Sequence, residues 1–383
     1  METRKCGRSG VKLPIIGFGS MRMHGDDFEH WASIVHEAME AGFTYIDAGN
    51  NYNSHTNEIK VGMGIKGIPR ERVVLSTKCM GRQYPKADDA RRAIDESMKK
   101  LDVDVLDFYQ MWSPSLKEFN EYSGRPGGTL GGIRKAMDEG LIRHLGLTCH
   151  DKPENMIALL RTGEFEAITL QYNLLDRRNE AVIAEAGRLG IGVVVMGPLK
   201  GGLLASDSPL VRALMGDPST SPGAGAVAST EEAAFRFVLS NPNVTCAISG
   251  MLTSEEIQKD KVIAERFRPF TEAERERADA GLAKLQTEAD KLCTGCRYCM
   301  PCPEGVGIHE VFRLANAARI YGLVDGSRHD YALFSVDWPY DGWKDASHCT
   351  ECGACLEKCP QKIDIPAELK KAHEVLKQTE GAL

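Results

Sequence analysis

No run of Lys and Arg stands out anywhere in the chain. Acids outnumber bases, 54 to 47, for a formal charge of −7 and a pI near 5.9. A polyanion such as nucleic acid or an anionic membrane surface is therefore excluded as the main partner. Long apolar stretches are missing as well. Runs such as Ile191–Met196 fall far short of the roughly 20 residues that a bilayer-crossing helix needs. Met1 to Gly10 is polar, without the apolar core of a secretory signal, so the cytoplasm is the expected location. No GxGxxG follows the first strand-like run, which counts against an open dinucleotide-binding sheet.

Cysteine, by contrast, is plentiful and unevenly spread. Of twelve, Cys6, Cys79, Cys149 and Cys246 are scattered, and eight crowd into the last quarter of the 383 residues. A disulfide framework needs an oxidising compartment, which nothing in the sequence implies, so clustered thiols are read as metal ligands. Hydrophobic residues at 42% and charged residues at 26% describe a globular chain. Its length suits one large domain plus a small one.

Residues 1–265 repeat one unit, a short apolar run followed by an amphipathic stretch. The runs are Pro14–Gly19, Thr44–Asp47, Val73–Lys78, Val103–Trp112, Ile142–Thr148, Ala167–Tyr172, Gly192–Gly197 and Val244–Gly250. Their β-branched content and length suit strands buried on both faces. Between them, Phe28, Trp31, Val35 and Met39 share one helical face with Gly42 as a stop. Pro153 opens another helix that Gly163 closes, and Asn179–Leu189 is a third, ended by Gly190. Eight alternating units predict an α/β fold, a closed (β/α)8 TIM barrel, with an open doubly wound sheet as the alternative. One stretch, Ala205–Thr230, rich in Ser, Pro, Gly and Ala, reads as a long irregular loop after strand seven. It is a lid at the catalytic face or a disordered insertion. Residues 266–290 read as a helical connector opened by a capping box at Thr271–Glu274.

Residues 291–383 hold two motifs. The first is Cys293-x2-Cys296-x2-Cys299-x2-Cys302-Pro303, the second Cys349-x2-Cys352-x2-Cys355-x3-Cys359-Pro360. Three thiolates at x2 spacing wrap three corners of a cubane, and the Cys before Pro serves the other cluster in two-cluster ferredoxins. The expected ligands are Cys293, Cys296, Cys299 and Cys359 for one [4Fe–4S] cluster, and Cys349, Cys352, Cys355 and Cys302 for the second. The first motif is one residue short before its last Cys. Structural zinc is the competing reading, but zinc sites take paired cysteines rather than triplets ending in Cys-Pro. With a helix expected over His309–Tyr321, this is a small, mainly α-helical ferredoxin-like domain.

In such a barrel, polar residues at the C-terminal strand ends are candidates for chemistry. Asp47 ends strand two, Tyr52 follows it, and Lys78 ends strand three. Tyr is a poor acid at neutral pH. A neighbouring ammonium, pinned by a carboxylate, would lower its pKa and let it protonate a carbonyl oxygen as hydride reaches the carbon.

The barrel resembles the aldo-keto reductase family along nearly its whole length. The resemblance rests on Arg8–Gly19, on Phe43–Asp47 with Tyr52, on Ser76–Lys78, Gly140–Gly146, Gln171–Asn173 and Met196–Gly202. Cys293–Pro303 extends it to the branch with a C-terminal iron–sulfur domain. It implies that Asp47, Tyr52 and Lys78 are three of four catalytic residues. Trp112 stands where the family has a His, and it is bulkier and unable to titrate. The resemblance also implies that Thr148, Cys149 and Gln171 face the nicotinamide carboxamide and that Met196 replaces a stacking aromatic. Gly197, Pro198, Leu199 and Lys200, on to Gly202, would approach the pyrophosphate. The segment from Gly250 to Asp260 lacks the basic residue that grips the 2′-phosphate of NADP, and Asp260 stands where an Asn is usual, so NADP and NAD both remain open. His150, near the barrel mouth, is either a stand-in for the missing imidazole or a surface residue.

Three functions compete. The first is a nicotinamide-dependent carbonyl reductase acting on a small-molecule substrate, or oxidising the alcohol in reverse, with structural or regulatory clusters. The second is a redox enzyme wired through its clusters to a partner protein; a flavin, for which no motif speaks, would serve there to step between one and two electrons. The third is a non-catalytic electron-transfer or scaffold subunit.

Overall fold

The computed structural model describes residues 1–215, 227–290, 293, 297–335 and 342–377. Eight short parallel strands close into a barrel: β1 Ile16–Gly19, β2 Tyr45–Asp47, β3 Val74–Cys79, β4 Leu106–Trp112, β5 Ile142–Cys149, β6 Ala167–Gln171, β7 Gly192–Met196 and β8 Cys246–Ser249. Each pairs with its sequence neighbours, and β8 returns to β1. The strands form where β-branched and other apolar residues can be buried on both faces. Val193, Val194 and Val195 are all within 2% of complete burial, and each is worth roughly 1.5–3 kcal/mol out of water. The expected TIM barrel is the observed one, and the open sheet is excluded by the β8–β1 pairing.

An N-terminal hairpin, Thr3–Lys5 against Lys12–Pro14, packs Cys6 and Leu13 against Tyr45, Phe108, Val194 and Cys246. Tyr45 and Cys246 begin their strands, so this apolar plug fills the barrel's N-terminal end and leaves the opposite end for chemistry. The first helix, Phe28–Glu40, is capped by Asp27, whose carboxylate accepts from His30 N at 2.9 Å. Gly42 follows it at φ 104°, a conformation that glycine adopts without strain. Pro153 occupies the first turn of Pro153–Leu160.

The chain divides into two compact units. Met1–Pro198 with Phe235–Pro269 is the first and contains the whole barrel; Leu199–Ala234 with Phe270–Leu383 is the second. In the second, Thr271 and Glu274 exchange the reciprocal bonds of the predicted capping box and open the helix Glu272–Asp290. Ile308–Tyr321, Val324–Ala332 and Ile365–Leu376 follow, with Val311, Leu314, Leu369 and Leu376 in their common core. Among the described residues of this unit the one strand-like pairing is a bridge between Val306 and Lys344.

The stretch Ala205–Thr230 departs from its reading as irregular loop, since Pro209–Met215 is helical. Ser208 Oγ donates to Tyr321 O at 2.5 Å, and Gly326 N donates to Ser206 Oγ at 3.1 Å. These bonds tie the start of the stretch to the helices around Tyr321 and Gly326, a long-range partnership that composition does not encode. Residues 216–226, on which the lid reading largely rests, lie outside the described residues. Among the described residues no helix is long and apolar enough to cross a membrane.

Candidate functional site

The barrel register brings Asp47 beside Ser76, and Lys78 beside Gln110. Lys78 Nζ lies 2.5 Å from Asp47 Oδ1 and donates to Ala48 O at 2.7 Å. Both side chains are almost fully buried. The ammonium also sits 4.8 Å from the centre of the Tyr52 ring and 5.5 Å from that of Trp112. The two rings meet edge to face at 5.0 Å and 76°, a favoured aromatic geometry. Asp47, Tyr52, Lys78 and Trp112 thus form one contiguous cluster.

Tyr52 is delivered by a tight loop. Asn53, Ser54 and His55 are three successive left-handed residues, at φ 51°, 52° and 68°, each costing roughly 1–2 kcal/mol for a residue with a Cβ. Side-chain bonds offset part of this. Asn57 Nδ2 donates to Asn53 Oδ1 at 3.1 Å and to Ser20 O at 2.8 Å, and His55 Nδ1 lies 2.9 Å from Asn50 O. Gly49 makes room for the ring, because a Cβ there would stand 3.0 Å from Tyr52 Cδ2.

The electrostatics run differently from the sequence expectation. Burial, with Asp47 adding to it, pushes the Tyr52 phenol above its ordinary value, and Lys78 only partly opposes this. Burial alone would lower the Lys78 pKa, but Asp47 and Tyr52 hold it above the ordinary lysine range. The expected sign of the ammonium's effect on the phenol is right, but the net direction is upward because the site is dry. The resting site is therefore a neutral phenol beside a fixed positive charge.

Gln110 is the residue that sequence reasoning missed. Its Nε2 donates to Asp47 Oδ2 at 3.0 Å and to Ser76 Oγ at 2.7 Å, and its Oε1 accepts from Thr148 Oγ1 at 2.6 Å and Thr169 Oγ1 at 2.8 Å. Gly146 clears space for it, since a Cβ there would lie 2.8 Å from Gln110 Cγ. Period-two counting back from Trp112 offered a signal, because residues two apart share a strand face.

The predicted cofactor residues separate. Thr148 points inward onto Gln110, so Cys149, next along the strand, points the other way. Its Sγ lies 3.7 Å from Pro114 O, and burial pushes its pKa to about 11. Gln171 and Met196 are half-buried neighbours across β6 and β7. Gly197 turns at φ 62°, with its carbonyl accepting from Asn173 Nδ2 at 3.0 Å, and Pro198 is buried. Leu199 and Lys200 belong to the second unit, where Lys200, Gly201 and Gly202 all have positive φ. Gly250 is exposed just after β8, and a Cβ on it would lie 3.4 Å from Arg22 Cδ. Arg22 is thus a cation beside Gly250, supplied by the loop after β1, and no local pattern pointed to it. His150 is exposed; partial desolvation and, second, Lys78 lower its pKa. Asp260 is buried within the helix Ser254–Arg266.

Cys6, Cys79, Cys149 and Cys246 are buried, with pKa values raised to about 12 for Cys6 and Cys79, which makes them poor thiolates. In the second unit the remaining described cysteines surround two cavities. One is lined by Cys293, Cys299 and Cys359 together with His309 and Phe312. The other is lined by Cys302, Cys349, Cys352 and Cys355 together with Ile308 and Leu369. Cys296 lies outside the described residues. Burial first, and then the nearby thiols of Cys349, Cys302 and Cys352, raise the Cys355 pKa. Arg297, Glu351 and Gly353, within the cysteine motifs, have left-handed backbone at φ 67°, 55° and 74°. Each cavity offers soft sulfur donors from both motifs on an apolar floor, a donor set that fits an iron–sulfur cluster.

Residues 15–281 match the Aldo/keto reductase family, and residues 292–363 match the 4Fe-4S dicluster domain. An uncharacterized oxidoreductase of Bacillus subtilis is 25% identical over 299 residues, spanning 72% of this chain and 94% of its own. The NADH-specific methylglyoxal reductase of Escherichia coli is 28% identical over 229 residues, spanning 53% of this chain and 69% of its own. The holo form of an aldo-keto reductase from Bacillus halodurans superposes with a TM-score of 0.63 at 25% identity, covering 73% of this chain and 96% of that one.

Proposed function

This chain, an oxidoreductase, belongs to the Aldo/keto reductase family and carries a 4Fe-4S dicluster domain after its barrel, and from that membership we propose that the barrel reduces the carbonyl of a small molecule at Tyr52. A nicotinamide cofactor, when bound, supplies the hydride. The chain's own residues do the rest. The Tyr52 hydroxyl hydrogen-bonds the substrate oxygen. As the carbon–hydride bond forms, the carbonyl π pair moves to that oxygen, which takes the phenolic proton. Lys78 stabilises the phenolate left behind, Asp47 holds Lys78, and solvent later reprotonates Tyr52. Gln110 keeps Asp47 oriented. Trp112 closes one side of the pocket against Tyr52. The observation that carries this reading is the buried contact of Lys78 with Asp47 at 2.5 Å beneath the Tyr52 ring. The NADH specificity in the name of the E. coli relative supports a nicotinamide, and Arg22 beside Gly250 offers a cation to its phosphates.

In the second unit, the thiols around the two cavities support two [4Fe–4S] clusters. Cys293, Cys296, Cys299 and Cys359 would hold one, and Cys302, Cys349, Cys352 and Cys355 the other. We keep the division of labour at a barrel over 1–265, a connector over 266–290 and a cluster module over 291–383. A second functional reading, exchange of electrons through the clusters with a partner protein, is favoured by Trp112 in the place of the family's His.

Tyr52→Phe tests the barrel. It removes the only phenolic proton in the cluster around Lys78, and NAD(P)H-linked carbonyl reduction should fall by a factor on the order of 10²–10⁴ with iron content unchanged. Because the phenol's pKa is raised, wild-type turnover should show no loss from Tyr52 ionisation between about pH 6 and 9. Variant turnover within a few-fold of wild type would take Tyr52 out of the mechanism.

A further inference from the structure

The helix Ile308–Tyr321 begins between the two cavities, and its first two residues face different ones. Ile308 lines the cavity of Cys302, Cys349, Cys352 and Cys355, while His309 lines that of Cys293, Cys299 and Cys359. His309 is 95% buried, at 5% exposure. Among the described residues neither ring nitrogen has a hydrogen-bond partner. Among the described residues the nearest carboxylate oxygen, Glu310 Oε1, is 3.8 Å from Nε2, too far to accept a hydrogen bond. The other oxygen of Glu310 is engaged by Arg313 Nε at 2.5 Å. The imidazole is held in place by the Trp343 ring, edge to face at 4.4 Å and 75°. A buried donor without an acceptor costs roughly 1–3 kcal/mol, and such groups in folded proteins have a partner or a function.

We propose that His309 donates an N–H hydrogen bond to a sulfur of the cluster in this cavity, raising that cluster's reduction potential relative to its neighbour. The inference rests on the two-cluster reading above. A cluster gains one negative charge on reduction, and a fixed N–H dipole aimed at its sulfur stabilises the more negative state. Hydrogen bonds to cluster sulfurs are among the levers that set such potentials. Ile308 has no donor to give the other cluster, so two cubanes with the same thiolate ligation are made unequal by adjacent residues of one helix. His309 is a positioning and tuning residue and ligates no iron.

The test uses the anaerobically purified full chain, with iron and sulfide measured in every sample. Redox titration followed by electron paramagnetic resonance gives the potential of each cluster in wild type, His309→Leu and His309→Gln. In His309→Leu one cluster should become harder to reduce by about tenfold in its equilibrium constant, or 59 mV for one electron. The other should stay put. His309→Gln, which keeps an N–H, should move less. In wild type labelled with 15N-histidine, a pulsed-resonance coupling from nitrogen to the reduced cluster should appear, and it should vanish in both variants. If His309→Leu fails to fold, the wild-type coupling and the Gln variant still decide. Unchanged potentials at full iron, an equal fall in both, or loss of one cluster's iron would each overturn the tuning role. The last of these would make His309 a ligand or a brace. About four irons in wild type, with no cluster in this cavity, would instead overturn the two-cluster reading, and this inference with it.

Discussion

Asp47, Tyr52 and Lys78 look unremarkable one at a time, and their meaning comes from burial. An exposed Lys–Asp pair is worth little. Here the pair is nearly dry, so the charge on Lys78 acts on Tyr52 with little screening. The same dryness raises the phenol's pKa and keeps the proton in place for transfer. By the resemblance read from the sequence, Trp112 stands where the family has a His. Its ring touches Tyr52 and lies over Lys78, but it brings no imidazole. Trp112→His restores the family's donor next to an intact Asp47–Lys78–Gln110 set. Steady-state assays with a generic aldehyde and NAD(P)H should show a rise, bounded by the 10²–10³ that one well-placed donor can be worth. A fall instead would mean that the ring's contacts, worth about 0.5–1.5 kcal/mol, hold Tyr52 or a flat substrate in place.

At the scale of elements, both sites are assembled from strand ends and sharp turns. Tyr52 is followed by three left-handed residues, and Arg297, Glu351 and Gly353 in the cysteine motifs are left-handed as well. The cavity lined by Cys293 and Cys299 also takes in Cys359, from the other motif, while Cys302 lines the cavity of Cys349–Cys355. This crossing makes an element-level prediction. Cys359→Ala and Cys293→Ala should abolish the same resonance signal and leave the other, each variant keeping about half of the iron. Cys355→Ala should abolish the opposite signal. If Cys359→Ala instead removed the signal lost in Cys355→Ala, each motif would fill its own cavity.

For the molecule as a whole, the proposed reaction would bring two electron currencies together in one chain. Hydride transfer moves two electrons together, whereas [4Fe–4S] clusters pass them singly. Two thiol-lined cavities predict about eight iron and eight acid-labile sulfide per chain, with broad visible absorbance that bleaches on reduction. Anaerobic purification followed by metal and sulfide analysis measures this directly. Stoichiometric zinc without sulfide would remove the clusters and leave the barrel to act alone.

The barrel was legible in the sequence because burial has a local signature. Eight apolar runs of strand length, each followed by an amphipathic stretch, carry their own periodicity, and a closed parallel barrel buries them all. The gathering of described cysteines from both motifs around two cavities was equally legible, because spacing within one loop is already geometry. Arg22 and His309 were not, and Gln110 only as a residue sharing the strand face of Trp112. Gln110 gains its meaning from Asp47, 63 positions earlier. Arg22 gains it from Gly250 across the β1–β8 seam, and His309 from a cavity whose walls come from both motifs. Such meetings depend on strand register and on the direction in which a helix begins, which only the packed chain decides. The net direction of the Tyr52 pKa belongs with them: the sequence alone names the charges, but their balance against burial is a property of the tertiary structure.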